Sequence, residues 1–129
     1  MEAYTGTMSF PEEMVRTRLT AISFPPHRFV IHKGFIDEVL RHDSNLPKEV
    51  SLAYVDFDLY EPTKLTLDFL HRATSAGAII IVDDYGYFST GVKVAVDEFL
   101  EEKNSSAMIY ECLVPNTRYG CFAVLTRKG

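Results

Sequence analysis

Two pairs of carboxylates carry the chemistry this sequence can do. Asp56 and Asp58 lie in "LAYVDFDLY" and Asp83 and Asp84 in "IIIVDDYG", each pair following at once on a short apolar run. In a parallel α/β sheet, ligands bind in the crevice outside the carboxyl ends of the strands, and both pairs stand at such an end. If the two strands are neighbours, three or four carboxylates converge on one hole. Like charges that close are tolerable at neutral pH only when a cation neutralises them, a proton is retained, or the side chains diverge. Oxygen-only ligands suit a hard ion such as Mg²⁺, which keeps positions open for water or a substrate oxygen. A single Asp after a strand is commonly just the N-cap of the next helix. Two adjacent strand ends with two acids each make that account costly, because the repulsion is then unexplained.

The elements that must position these acids follow from periodicity. A helix is expected from about Phe10 to Ala21, with Ser9 and Glu12 as a capping box and Pro11 in the first turn, and the Pro25-Pro26 pair stops it. "RFVIHKG" reads as a short strand ending at Gly34, and "FIDEVLRHD" as a helix through Phe35, Val39 and Leu40. Val50 to Val55 is a strand that runs into Asp56, and "TKLTLDFLHRA" is a helix with Leu65, Phe69, Leu70 and Ala73 inward and Gly77 beyond its end. "AIIIVDDYG" is β-branched without alternation, the pattern of a strand covered on both faces. "GVKVAVDEFLEEK" is a helix with Val92, Val96, Phe99 and Leu100 inward and Asp97 and Glu98 on a solvated face; "AMIYECLV" and "YGCFAVLTR" are strands around a turn at "PNT". The fold class is α/β: an open, mostly parallel sheet with the two C-terminal strands antiparallel, in one domain over residues 1–129.

Composition bounds the partners. The chain has 129 residues, 47% hydrophobic and 24% charged, with a formal net charge of -5, so a nucleic-acid or anionic-membrane surface is not expected. The longest apolar stretch, Ala76 to Val82, is too short to span a bilayer, and "MEAYTGTMSF" is no secretory leader. The cytoplasm is the expected compartment, and Cys112 and Cys121 are expected as free thiols.

"VDFDLYEPT", "GAIIIVDDYG" and "GVKVAVDEF", in that order, resemble the macrocin O-methyltransferase (TylF-like) family, in which D-x-D-L-Y-E-(S/P)-T precedes GG-x-(I/V)-I-(I/V)-DDY and G-x-x-x-AVDEF. Weaker matches extend upstream through "YTGT", "VRTRL" and "VIHKGFIDEVL". Ala78 replaces a common second glycine, and Ile36 to Val39 replace a more polar stretch. The resemblance implies a Rossmann-like class I methyltransferase sheet, here without its N-terminal part, and methyl transfer from S-adenosylmethionine to a hydroxyl of a sugar or small natural product. It further implies Mg²⁺ on Asp56, Asp83 and Asp84, with Asp58 a further ligand or a group orienting the acceptor, so that Asp56 and Asp58 are the catalytic candidates. Gly34, Phe35 and the backbone at Asp56 would face the cofactor. No G-x-G-x-x-G occurs in the sequence, so the cofactor's glycine loop has no counterpart. His32 and His71 are the available imidazole bases, although a histidine on a strand or helix is more often structural.

Two other readings stand beside this one. The first is an inactive, methyltransferase-like binding or dimerising module, in which a second copy of the chain covers an unpaired sheet edge. The second follows from "AYVDFDLY", which also has the strand-then-D-x-D form of the haloacid dehalogenase-like phosphatases. Asp58 and Asp83 stand too close in sequence for that family's intervening motifs, and Tyr60 occupies its Thr/Val position.

Overall fold

Strands β1 (Leu52–Val55) and β2 (Ile79–Val82) lie side by side and parallel, in register from Leu52 against Ile79 to Val55 against Val82. The two acid pairs therefore leave the same edge of one sheet. The structure, a computed structural model, describes residues 10–87 and 90–129, and the chain divides after Phe35 into two compact units.

In the first unit, helix α1 (Glu12–Ala21) has Pro11 at its N-cap, acids Glu12 and Glu13 in its first turn and Arg18 in its last, the charge order that a helix dipole favours. An ion pair from Arg16 to Glu12, 2.8 Å long, supports its exposed face. The expected partner of Glu12 in a capping box, Ser9, lies outside the described residues, as does "YTGT". Ser23, at φ 57°, ends the helix, and a single 3-10 turn, Pro26–Arg28, follows. The strand expected in "RFVIHKG" is not formed. An apolar run becomes a strand only with a ladder partner, and residues 29–33 pair with none among the described residues, leaving Val30 66% exposed.

In the second unit, helix α2 (Ile36–His42) precedes β1, helix α3 (Tyr60–Ala73) joins β1 to β2, and helix α4 (Thr90–Lys103) follows β2. Strands β3 (Tyr110–Leu113) and β4 (Ala123–Arg127) complete a sheet of order β1-β2-β4-β3. β4 is antiparallel to both of its neighbours, so β1, β2 and β3 share one direction and β4 alone is reversed. The expected mixed α/β sheet is present. Val55, Ile80, Val82, Tyr110, Ala123 and Leu125 face a core filled by Leu67 and Leu70 of α3 and by Val92, Val96 and Phe99 of α4.

Two local expectations change. β2 alternates instead of being covered throughout: Ile80 and Val82 are buried, while Ile79 is 37% exposed. Helix α3 begins at Tyr60, with Pro62 tolerated in its first turn, and it buries Thr63, Leu67, Leu70 and Ala73 in place of a face built on Leu65. Leucines two positions apart lie on different helix faces; the expected Leu70 and Ala73 are buried, with Leu67 in place of Leu65, and the row tolerates Thr63 because its hydroxyl donates to the Leu59 carbonyl at 2.7 Å.

The far edge of the sheet is closed by polar bonds. Arg127 donates to the carbonyls of His71 and Thr74 at the end of α3, at 2.5 and 2.6 Å, and Asn104 bonds the main chain of Ile109 and Tyr110 at 2.8–2.9 Å. Cys112 and Cys121 are free thiols.

The α3 register is open to test by urea denaturation. Leu67→Ala is expected to cost about 2–5 kcal/mol, the usual range for emptying a fully buried leucine site, whereas Leu65→Ala stays within about 0.5 kcal/mol.

Candidate functional site

Backbone geometry gathers the acids. Asp56 follows β1 directly, and the Asp83 N–H donates to the Val55 carbonyl at 2.9 Å, which carries the parallel ladder one residue past β2. Asp58 and Asp84 each take a left-handed conformation, at φ 59° and 54°. Asp is among the few non-glycine residues that occupy this region without large strain.

Carboxylate oxygens of Asp56, Asp58 and Asp84 lie within 4.8 Å of one another. At that separation two full charges repel by about 1 kcal/mol in bulk water and by about 3.5 kcal/mol at the effective dielectric near a protein surface. The structure registers this cost as proton affinity. A hydrogen bond to Asp58, then burial, then the charges of Asp83, Asp58 and Asp56 push Asp84 up to about 6. Asp56 is raised by partial burial of its carboxyl and by the charges of Asp83 and Asp58. The charges are the part that a cation would relieve.

Asp83, expected as a ligand beside Asp56 and Asp84, has both of its oxygens engaged in hydrogen bonds. One of its oxygens accepts the Asp84 N–H at 2.9 Å and the other accepts the Tyr54 hydroxyl. The bond to Asp83 is also the main reason that Tyr54 is raised to about 12. The group of three thus contains Asp58, and Asp83 forms a hydrogen-bonded backing to it.

Gly34 and Phe35, the other cofactor candidates, close the first unit: Gly34 has φ 145°, where glycine is favoured, and Phe35 is 78% exposed. His32 belongs to that unit as well. His71 lies eleven residues beyond the start of α3, roughly 16 Å along the helix, at the sheet edge opposite the acids. There its Nδ1 meets the Tyr110 hydroxyl at 3.1 Å, and burial with the neighbouring charges of Arg127 and Lys103 lowers its pKa. It is a structural histidine and not a base for this site. Asp97 and Glu98 are more than a solvated face: they accept the hydroxyls of Tyr85 and Tyr60, each at 2.6 Å, and tie α4 to the turn after Asp84 and to the start of α3.

Sequence reading missed the segment between β3 and β4. Since Val82 pairs with Ala123 and Leu113 with Val124, that loop emerges at the acid edge, where the Tyr85 N–H donates to the Cys121 carbonyl at 2.9 Å. Its signal was available, because the loop joining two antiparallel strands falls at one sheet edge, and the direction of β4 decides which. A cleft of about 510 Å³ lies there, bounded by Asp83, Asp84, Tyr87, Arg118, Tyr119 and Cys121.

Comparison with known proteins places this geometry. A model of the family described as "Macrocin-O-methyltransferase (TylF)" matches residues 2–113. Among solved structures, the O-methyltransferase NovP is 27% identical, with a TM-score of 0.75 over 92% of this chain and 45% of its own. CalS11, the calicheamicin methyltransferase, is 27% identical, with a TM-score of 0.72 over 98% of this chain and 51% of its own. The chain spans about half the length of both. No curated protein matches it. Among the described residues no helix is long and apolar enough to cross a membrane. The match goes against the phosphatase alternative.

Asp84 binds its proton more tightly in the fold than in the unfolded chain, so its share of stability is whole below its ordinary value near 3.8 and is lost as pH climbs through about 6. In EDTA, denaturation midpoints should therefore fall between pH 4 and 6 for the native chain, and this fall should be largely absent in Asp84→Asn.

Proposed function

We propose, from the premise that the chain belongs to the macrocin-O-methyltransferase (TylF) family, that it serves methyl transfer from S-adenosylmethionine to a hydroxyl of a sugar or other small natural product, at a site that holds Mg²⁺. The observation that carries this reading is the convergence of Asp56, Asp58 and Asp84 at the carboxyl edge of β1 and β2. CalS11, described as a TDP-rhamnose 3'-O-methyltransferase, supports a sugar hydroxyl as the acceptor class.

The donor set fits a hard cation: three carboxylate oxygens, with no imidazole or thiolate among them. Asp56, Asp58 and Asp84 would hold Mg²⁺, which when bound supplies the Lewis acidity that makes a hydroxyl easier to deprotonate. The remaining work belongs to the chain. Asp83, fixed by Tyr54 and by the Asp84 N–H, keeps the turn after β2 in place and stands as a fourth acid for the ion's surroundings. Asp56 and Asp58 would lie toward the acceptor, and a carboxylate of the cluster that is not ligating the ion would take up the hydroxyl proton. Gly34 and Phe35 are the first unit's candidates for the cofactor, and the backbone at Asp56 is the second unit's. Alignment of the acceptor oxygen with the methyl group, more than covalent chemistry, would give the rate.

A second reading is a module that keeps the ion site but performs no transfer. Calorimetry separates the two. The reading predicts one Mg²⁺ per chain, weakened at least roughly tenfold in Asp56→Asn or Asp58→Asn, the usual cost of one charged contact. It also predicts binding of S-adenosylmethionine by the same sample. Ion binding without cofactor binding assigns the chain to the second reading, and failure to bind either ligand overturns both.

A further inference from the structure

We propose that the cleft between the acid edge and the β3–β4 loop is an acceptor subsite that reads a negative charge on the substrate, with Arg118 as the specificity residue and Tyr87 and Tyr119 flanking the ring that carries the charge. This rests on the methyl-transfer reading and deepens it, since it names a property of the acceptor.

The cleft's volume, about 510 Å³, is that of a small-molecule site. Its two sides differ in charge. Asp83 and Asp84 line one, and Arg118 is the cation among the lining residues. Among the described residues no carboxylate pairs with Arg118. Its contacts are with Tyr119, whose ring centroid lies 5.2 Å from the guanidinium and whose hydroxyl accepts from Nη2 at 3.2 Å. That arrangement stiffens the guanidinium and leaves most of its donors unused, which suits two-point recognition of a carboxylate or phosphate. Tyr119 and Tyr87 are 83% and 76% exposed, and aromatic faces left open on a cleft lined by acids and an arginine match the apolar face of a sugar or a base.

The loop is held in place before any ligand arrives. The Thr117 hydroxyl accepts the Tyr119 N–H at 3.1 Å, and Gly120, at φ 154°, turns the chain so that the Cys121 carbonyl can accept the Tyr85 N–H. A net charge of -5 disfavours anions over the surface as a whole. An anionic substituent therefore has one good place in the cleft, at Arg118, and taking it turns the hydroxyl end of the molecule toward the acids.

The test is calorimetry on the intact chain at fixed free Mg²⁺, with glucose, glucuronic acid and UDP-glucose as probes, on the native protein, Arg118→Gln and Arg118→Lys. The expected result is that one or both charged probes bind at least roughly tenfold tighter than glucose, that Arg118→Gln removes the difference by weakening the charged probes, and that Arg118→Lys keeps part of it. Preference for glucuronic acid assigns a carboxylate, and preference for UDP-glucose assigns a phosphate. Equal binding of all three probes, or an unchanged preference in Arg118→Gln, overturns the inference. Mg²⁺ binding measured in the same samples tells the failures apart: ion binding without charge preference sinks this inference alone, and absence of ion binding sinks the reading beneath it too.

Discussion

Mutual repulsion among carboxylates is the constraint around which the second unit is organised. Three oxygens within 4.8 Å of one another do not stay together by attraction; the strand pairing places them there, with Val55 against Val82 and the Asp83 N–H on the Val55 carbonyl. The left-handed conformations of Asp58 and Asp84 are ones that Asp tolerates, so the cost at this edge is one of charge. A proton retained on Asp84 is the internal means of relieving that cost, and a cation would be the external one.

The rest of the unit resists the spreading of that edge. Behind the acids, Ile80, Val82, Ala123 and Leu125 are fully buried, and α3 and α4 are locked to each other and to the turn after β2 by the Tyr60–Glu98 and Tyr85–Asp97 hydrogen bonds. Lys64 and Lys93 reinforce those two acids from their own sides. At the opposite edge Arg127 closes the end of α3. The residues of "DLYEPT", "DDYG" and "AVDEF" divide accordingly: Asp58 and Asp84 join the carboxylate cluster, while Tyr60, Tyr85, Asp97 and Glu98 brace the elements that hold it.

Much of this was legible in the sequence because it is local. A β-branched run that ends in two acids announces the strand and where it stops, and the antiparallel pairing of the last two strands was expected, although residues 114–122 join them in place of a short turn at "PNT". What was not legible depends on partners distant in sequence. "RFVIH" has the composition of a strand and lacks a ladder neighbour among the described residues. Leu65 and Leu67 are equally apolar, and only the packing of α3 on the sheet selects Leu67. The exchange of Asp83 for Asp58 in the cluster turns on Tyr54, a residue that spacing gives no reason to single out, and on two left-handed turns that Asp merely permits. Arg118 and Tyr119 came into view only when the direction of β4 brought their loop to the acid edge.

The most direct test of a shared cation is anomalous diffraction from crystals of the chain soaked in Mn²⁺, a stand-in for Mg²⁺ that can be located by its own scattering. A single peak at bonding distance from Asp56, Asp58 and Asp84 is the predicted result. Carboxylates splayed apart with no ion among them would contradict it.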